Sequence, residues 1–171
     1  MSPSGRRRAV VPFLALLVAF TAGCGSSAEE EAAALAAADR AYAAAVTTVT
    51  QRTTARLSEI STQSDYRDAD AAAQSTRAYA TSIRTAVTDL ERTKPPADVA
   101  PAHRELVALY RATADRMNDL ATSFATARGQ RALAQQAQEL SGEVQAYSTK
   151  EAQLRRAIER ALAPARTPKT R

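Results

Sequence analysis

The chain has one histidine, His103, and one cysteine, Cys24, among 171 residues. That scarcity excludes much chemistry. Structural zinc takes four Cys or His ligands, a set this chain lacks. His103 and Met117 fall on one predicted helix and cannot ligate opposite faces of a haem iron. With one histidine among many serines and aspartates, a Ser-His-Asp triad could be drawn at will and means nothing. Asp65, Asp68 and Asp70 form a small acidic group, but no Gly-containing calcium loop follows. They read as charge suited to a helix start. No metal, no cofactor and no enzymatic activity is expected. The residues left with recognition chemistry are Tyr42, His103, Tyr110, Tyr147 and Glu151. Aromatic walls with a few convergent polar groups are what a small-molecule pocket needs. The same residues also suit plain packing, with tyrosine rings buried and hydroxyls at the bundle edge.

Helices must position them. Ala, Arg, Glu, Gln and Leu, all good helix formers, dominate the chain, and Gly is scarce. The first apolar seam runs through Leu35, Tyr42, Val46, Val49, Leu57 and Ile60, crossing the Thr-rich stretch 47–54. Spacings of three, four and seven are helical. Ser27 is a plausible N-cap, with Glu29, Glu30 and Glu31 in the first turn. The second helix is expected from about Asp65, with a seam of Tyr66, Ala69, Ala73, Thr76, Ala80, Ile83, Val87 and Leu90. Its small residues require a neighbour to approach closely. Lys94-Pro95-Pro96 ends it. The third starts between Asp98, a candidate N-cap, and Pro101. It carries Val99, His103, Leu106, Tyr110, Thr113, Met117, Leu120, Phe124 and Ala127, and Gly129 marks its C-terminal turn. The fourth carries Leu133, Ala137, Leu140, Val144, Tyr147, Glu151, Leu154, Ile158 and Leu162, and Pro164 closes it.

Four helices with short connections predict an all-α fold, an antiparallel up-down-up-down four-helix bundle. Two long hairpins pairing into a homodimer would cover the same stripes. Folding the last hairpin about Gly129 sets Tyr110 beside Tyr147. It also sets His103 one turn from Glu151, where the two can pair. The first helix then brings Tyr42 and Asp39 alongside. The cluster is expected at the end of the bundle where the first helix begins.

The start of the chain has a different character. Arg6, Arg7 and Arg8 form a basic region, and 9–20 is an apolar run broken by Pro12. The run is well short of the roughly 20 residues that span a bilayer. Thr21-Ala22-Gly23-Cys24 follows, then Gly25-Ser26-Ser27. This resembles the lipobox of bacterial lipoproteins, and with the Ala- and Arg-rich composition the chain is similar to small actinobacterial membrane lipoproteins. Thr21 departs from the aliphatic residue usual there. The resemblance implies cleavage before Cys24 and acylation of its thiol, giving a membrane partner through a lipid anchor on the extracytoplasmic face. Acylation would also remove a lone thiol from an oxidising compartment. Arg7-Arg8 loosely fits a twin-arginine signal as well as a general secretion signal. The segment 95–103, Pro-Pro-Ala-Asp-Val-Ala-Pro-Ala-His, resembles a pattern in helical exported lipoproteins and bears on architecture alone.

The expected organisation is a signal peptide over 1–23, a lipidated tether over 24–28, the bundle over 29–163 and a basic tail over 164–171. The formal charge of +5 falls to +2 once Arg6, Arg7 and Arg8 are removed, and no basic patch interleaves with aromatics, so nucleic acid is not an expected partner. Two functions fit. One is a non-enzymatic structural or protein-interaction module of the cell envelope. The other is a ligand-binding or sensing bundle with a tyrosine-lined pocket.

Overall fold

The computed structural model describes residues 28–163. Cys24, the expected signal peptide over 1–23 and the 164–171 tail lie outside the described residues. Helix α1 spans Ala28–Gln63, α2 Ala69–Arg92, α3 Ala100–Thr126 and α4 Gln130–Leu162, with a single 3-10 turn, Ala97–Val99, ahead of α3. No strand occurs among the described residues. The helices form the expected antiparallel four-helix bundle, and one chain covers its own apolar stripes. None of the described helices is long and apolar enough to cross a membrane.

The local signals explain the boundaries. Asp68, not Asp65, caps α2: its side chain accepts from the Ala71 N–H at 2.7 Å. Asp65 instead accepts from the Arg67 N–H at 2.9 Å, tightening the turn before it. Asp98 is not an N-cap either. It sits in the 3-10 turn, and Val99 precedes α3 without a side-chain cap. Gly129 marks the start of α4 more than the end of α3. Its φ of 81° and ψ of 159° belong to a region open essentially to glycine alone. Ala163, the residue before Pro164, is extended, as a residue preceding proline should be.

Packing is uneven, and the unevenness matters for function. α2 and α3 form the tightest pair. Ala72, Ala73, Ala80 and Ala86 on α2, and Ala114 and Ala121 on α3, are all buried and allow the two backbones to approach. Around them lie Ile83, Leu90, Leu106, Tyr110, Met117, Leu120 and Phe124, all fully buried. The buried threonines Thr50, Thr53 and Thr76 bond their own helix carbonyls, so each hydroxyl is satisfied without a partner from another helix. Arg84–Asp115 joins α2 to α3, and Arg116 reaches Glu139 and Glu143 on α4. Exposed pairs of this kind contribute little each, roughly 0 to 1 kcal/mol.

By contrast, α1 and α4 barely touch. Residues 28–35 are exposed throughout. Leu35, expected in the apolar seam, is 63% exposed. The reason is length: α1 has 36 residues and its neighbour α2 has 24, so α1 outruns the surface that would cover it.

Candidate functional site

The expected cluster divides into two layers. In the first, α1 and α3 meet through Tyr42 and His103. The Tyr42 hydroxyl lies 3.0 Å from His103 Nδ1, both residues are buried, and the rings meet edge-on with centroids 5.7 Å apart. Burial lowers the His103 pKa, against an opposing pull from the Leu90 carbonyl. Burial pushes the Tyr42 hydroxyl up to about 12. Both groups are therefore neutral at pH 7. Tyr42 donates to Nδ1, and the imidazole N–H is left for the Leu90 carbonyl. That carbonyl lies in the last turn of α2 and also accepts from the Thr93 N–H at 2.9 Å, a carbonyl oxygen having two lone pairs. His103 thus joins α1 to α3 and sits against the last turn of α2.

The second layer lies seven residues further along α3, about 10 Å at helical rise. Tyr110 is fully buried and meets Tyr147 of α4 edge-on at 5.3 Å, as the hairpin about Gly129 predicted. Burial raises the Tyr110 hydroxyl to about 12, although Tyr147 beside it pulls the other way. Tyr147 is raised too, first by burial and then by Tyr110. One turn on, Glu151 is raised by burial, while Arg155 opposes. Its side chain is only 14% exposed, and Oε1 has no hydrogen-bond partner among the described residues. The Arg155 guanidinium is 3.8 Å away, outside hydrogen-bond range.

Because α1 and α4 hardly meet, this layer opens outward. A cavity of about 310 Å³ lies between Leu57, Ser58 and Ser61 of α1 and Val144, Tyr147 and Glu151 of α4. Tyr79 and Ile83 of α2 and Thr113 and Met117 of α3 complete the lining. A second cavity of about 250 Å³ adjoins it, sharing Ser61, Tyr79 and Val144 and extending to Tyr66 and Leu140. Together they form one cleft along the α1/α4 seam. Tyr66 in turn packs against Phe124, with centroids 6.0 Å apart.

Three expectations need correction. His103 and Glu151 do not pair: one turns to Tyr42, the other to the cleft. Sharing a level in a hairpin does not make two side chains face each other. Tyr42 and His103 lie outside the cleft lining, and Asp39 is half-buried on α1 one turn before Tyr42. The opening also faces the second half of α1, away from the end where that helix begins. Tyr79 was missed, although it sits three residues after Thr76 and four before Ile83. A two-residue-wide seam would have included it.

A larger opening of about 540 Å³ lies between α1 and α2. Its chemistry is already spent. Arg52 pairs with Asp89 at 3.1 Å, and Arg56 with Glu59. The hydroxyls of Thr53, Thr81, Ser82 and Thr85 bond carbonyls of their own helices. The α1/α4 cleft keeps an unpartnered carboxylate oxygen and is the better candidate.

The raised tyrosines stay protonated near neutral pH. They offer O–H donors and ring faces, and no base or nucleophile. Among the described residues no cluster of His, Cys, Asp and Glu is arranged to hold a metal ion. The chain matches no protein-family model, no curated protein and no solved structure, so its functional reading rests on its own residues and geometry.

Proposed function

We propose that this chain is a lipid-anchored extracytoplasmic helical-bundle lipoprotein that acts by binding without catalysis, and that the α1/α4 cleft is its small-ligand site. The observation carrying the ligand site is the open seam itself: a cavity of about 310 Å³, within the usual range for ligand pockets, with a mostly buried carboxylate in its wall. The anchor rests on the lipobox-like Thr21-Ala22-Gly23-Cys24. Ser61 is exposed and lines both cavities, so Ser61→Trp should fill the cleft without disturbing the core. Metabolites that raise the melting temperature of the native protein should lose that effect in Ser61→Trp. Equal shifts in both proteins would refute the site. Cells fed radiolabelled fatty acid should label the native chain and not Cys24→Ala. Label persisting in the variant would refute the anchor.

A second reading is a structural or protein-interaction module of the cell envelope. It is favoured by one feature, the exposed first two turns of α1 with Leu35 on them. In-cell cross-linking against a Cys24→Ala control tests it. A dominant envelope partner that depends on Leu35 is expected, and capture unchanged by Leu35→Ser would count against it.

A further inference from the structure

Building on the reading of the α1/α4 cleft as a ligand site, we infer that its ligand is a small organic ammonium ion, a protonated primary or secondary amine on an apolar body. Among the described residues, Glu151 is the only charged side chain lining either cavity. An anionic ligand would meet a carboxylate with no cation beside it in the lining. A neutral apolar ligand would dry the cleft and leave that carboxylate without a hydrogen bond to Oε1, its one cation being Arg155 at 3.8 Å, a costly arrangement.

The carboxylate narrows the class further. It accepts hydrogen bonds, and only an N–H or O–H donor in the cleft can supply one. A quaternary ammonium carries charge without a donor. Arg155 pairs with Oε1 at 3.8 Å, beyond hydrogen-bond range, and is absent from the lining, so the group meeting the cleft is the carboxylate. The remaining walls suit the rest of such a molecule. Leu57, Ile83, Met117 and Val144 are apolar, and the rings of Tyr147 and Tyr79 can face the cation or the body. The adjoining cavity toward Tyr66 and Leu140 has no charged lining residue, so the apolar body extends that way.

The test is calorimetric titration of the full-length, detergent-extracted protein with four probes sharing one ring: 2-phenylethylammonium, phenyltrimethylammonium, 2-phenylethanol and 3-phenylpropionate. The primary ammonium should bind most tightly. Glu151→Gln should weaken it by at least about tenfold, the scale of a charge-assisted hydrogen bond, with helicity unchanged by circular dichroism. Equal binding of the alcohol, or an unchanged affinity in Glu151→Gln, overturns the ammonium assignment. If Ser61→Trp still abolishes that binding, the cleft stands and only the ligand class falls. Binding that Ser61→Trp leaves intact overturns the cleft as well. No heat from any of the four probes overturns the ammonium assignment.

Discussion

Replacing Glu151 with glutamine should make the free protein more stable at neutral pH. The carboxyl is largely buried, Oε1 lacks a hydrogen bond, and the nearest cation is 3.8 Å away. Leaving such a group unsatisfied costs about 1 to 3 kcal/mol, and more when it is charged. Glutamine keeps the shape and one unsatisfied oxygen but removes the charge, so a gain of about 1 kcal/mol is expected, or roughly 3 °C in melting temperature. The pH dependence identifies the cause. Burial raises the folded-state pKa of Glu151 above 4.5. Between 4.5 and that higher value the folded chain binds more protons than the unfolded chain, so stability falls as pH rises through the window. Below 4.5 both states carry the proton, and the variant should match the native protein. The assay is thermal unfolding of both proteins at intervals from pH 4 to pH 8. A gain that is the same at pH 4 and pH 8, or a loss at pH 8, would refute the reasoning.

The other predictions concern the Tyr42–His103 layer and the turn at Gly129. Tyr42→Phe strips the donor from His103 Nδ1 and should cost about 1 to 3 kcal/mol by urea unfolding, while Tyr66→Phe, at a half-buried position, should cost less. His103 has a folded pKa below 6.5, so the unfolded chain takes up its proton first as pH falls. Stability should therefore drop as pH falls below 6.5 through the folded value, and the drop should vanish in His103→Gln. A Glu151→Gln background isolates that slope, because Glu151 acts with the opposite sign. Gly129→Ala meets open space, yet φ of 81° with ψ of 159° strains any L side chain. A loss of about 1 to 3 kcal/mol is expected by thermal unfolding, with the helix content of the folded state unchanged.

Much of the fold was legible because helical period reports which face is buried. Thr76, Ala80, Ile83, Val87 and Leu90 on α2 all lie in the core where their spacing puts them. Leu35 shows the limit. Periodicity marks a face, but whether a neighbour is long enough to cover it depends on the length of another helix. Asp65 and Asp98 show another: α2 was expected from about Asp65 and a cap at Asp98, but the cap falls at Asp68 and a 3-10 turn takes up Asp98.

The site was legible in part for the same reason. Tyr110 and Tyr147 flank one tight hairpin, so counting from Gly129 brings them together. His103 was readable as buried from its place in an apolar seam, but its partners came from α1 and α2, which no single-hairpin count could supply. The cleft itself lies between the first and last helices. Its existence depends on how the alanines of α2 and α3 draw those two helices together while Tyr147 of α4 packs on Tyr110 of α3 and leaves α1 and α4 barely touching. Such a balance is a property of the packed bundle and leaves no local mark in the chain.

Whether α1 and α4 enclose a ligand site or a closed seam is tested most directly by backbone amide NMR during titration with 2-phenylethylammonium. Perturbations should concentrate in 54–62 and 144–151, with further shifts near Tyr79 and Met117. Perturbations centred on Arg52 and Asp89, or scattered evenly over the bundle surface, would contradict the assignment of the α1/α4 cleft.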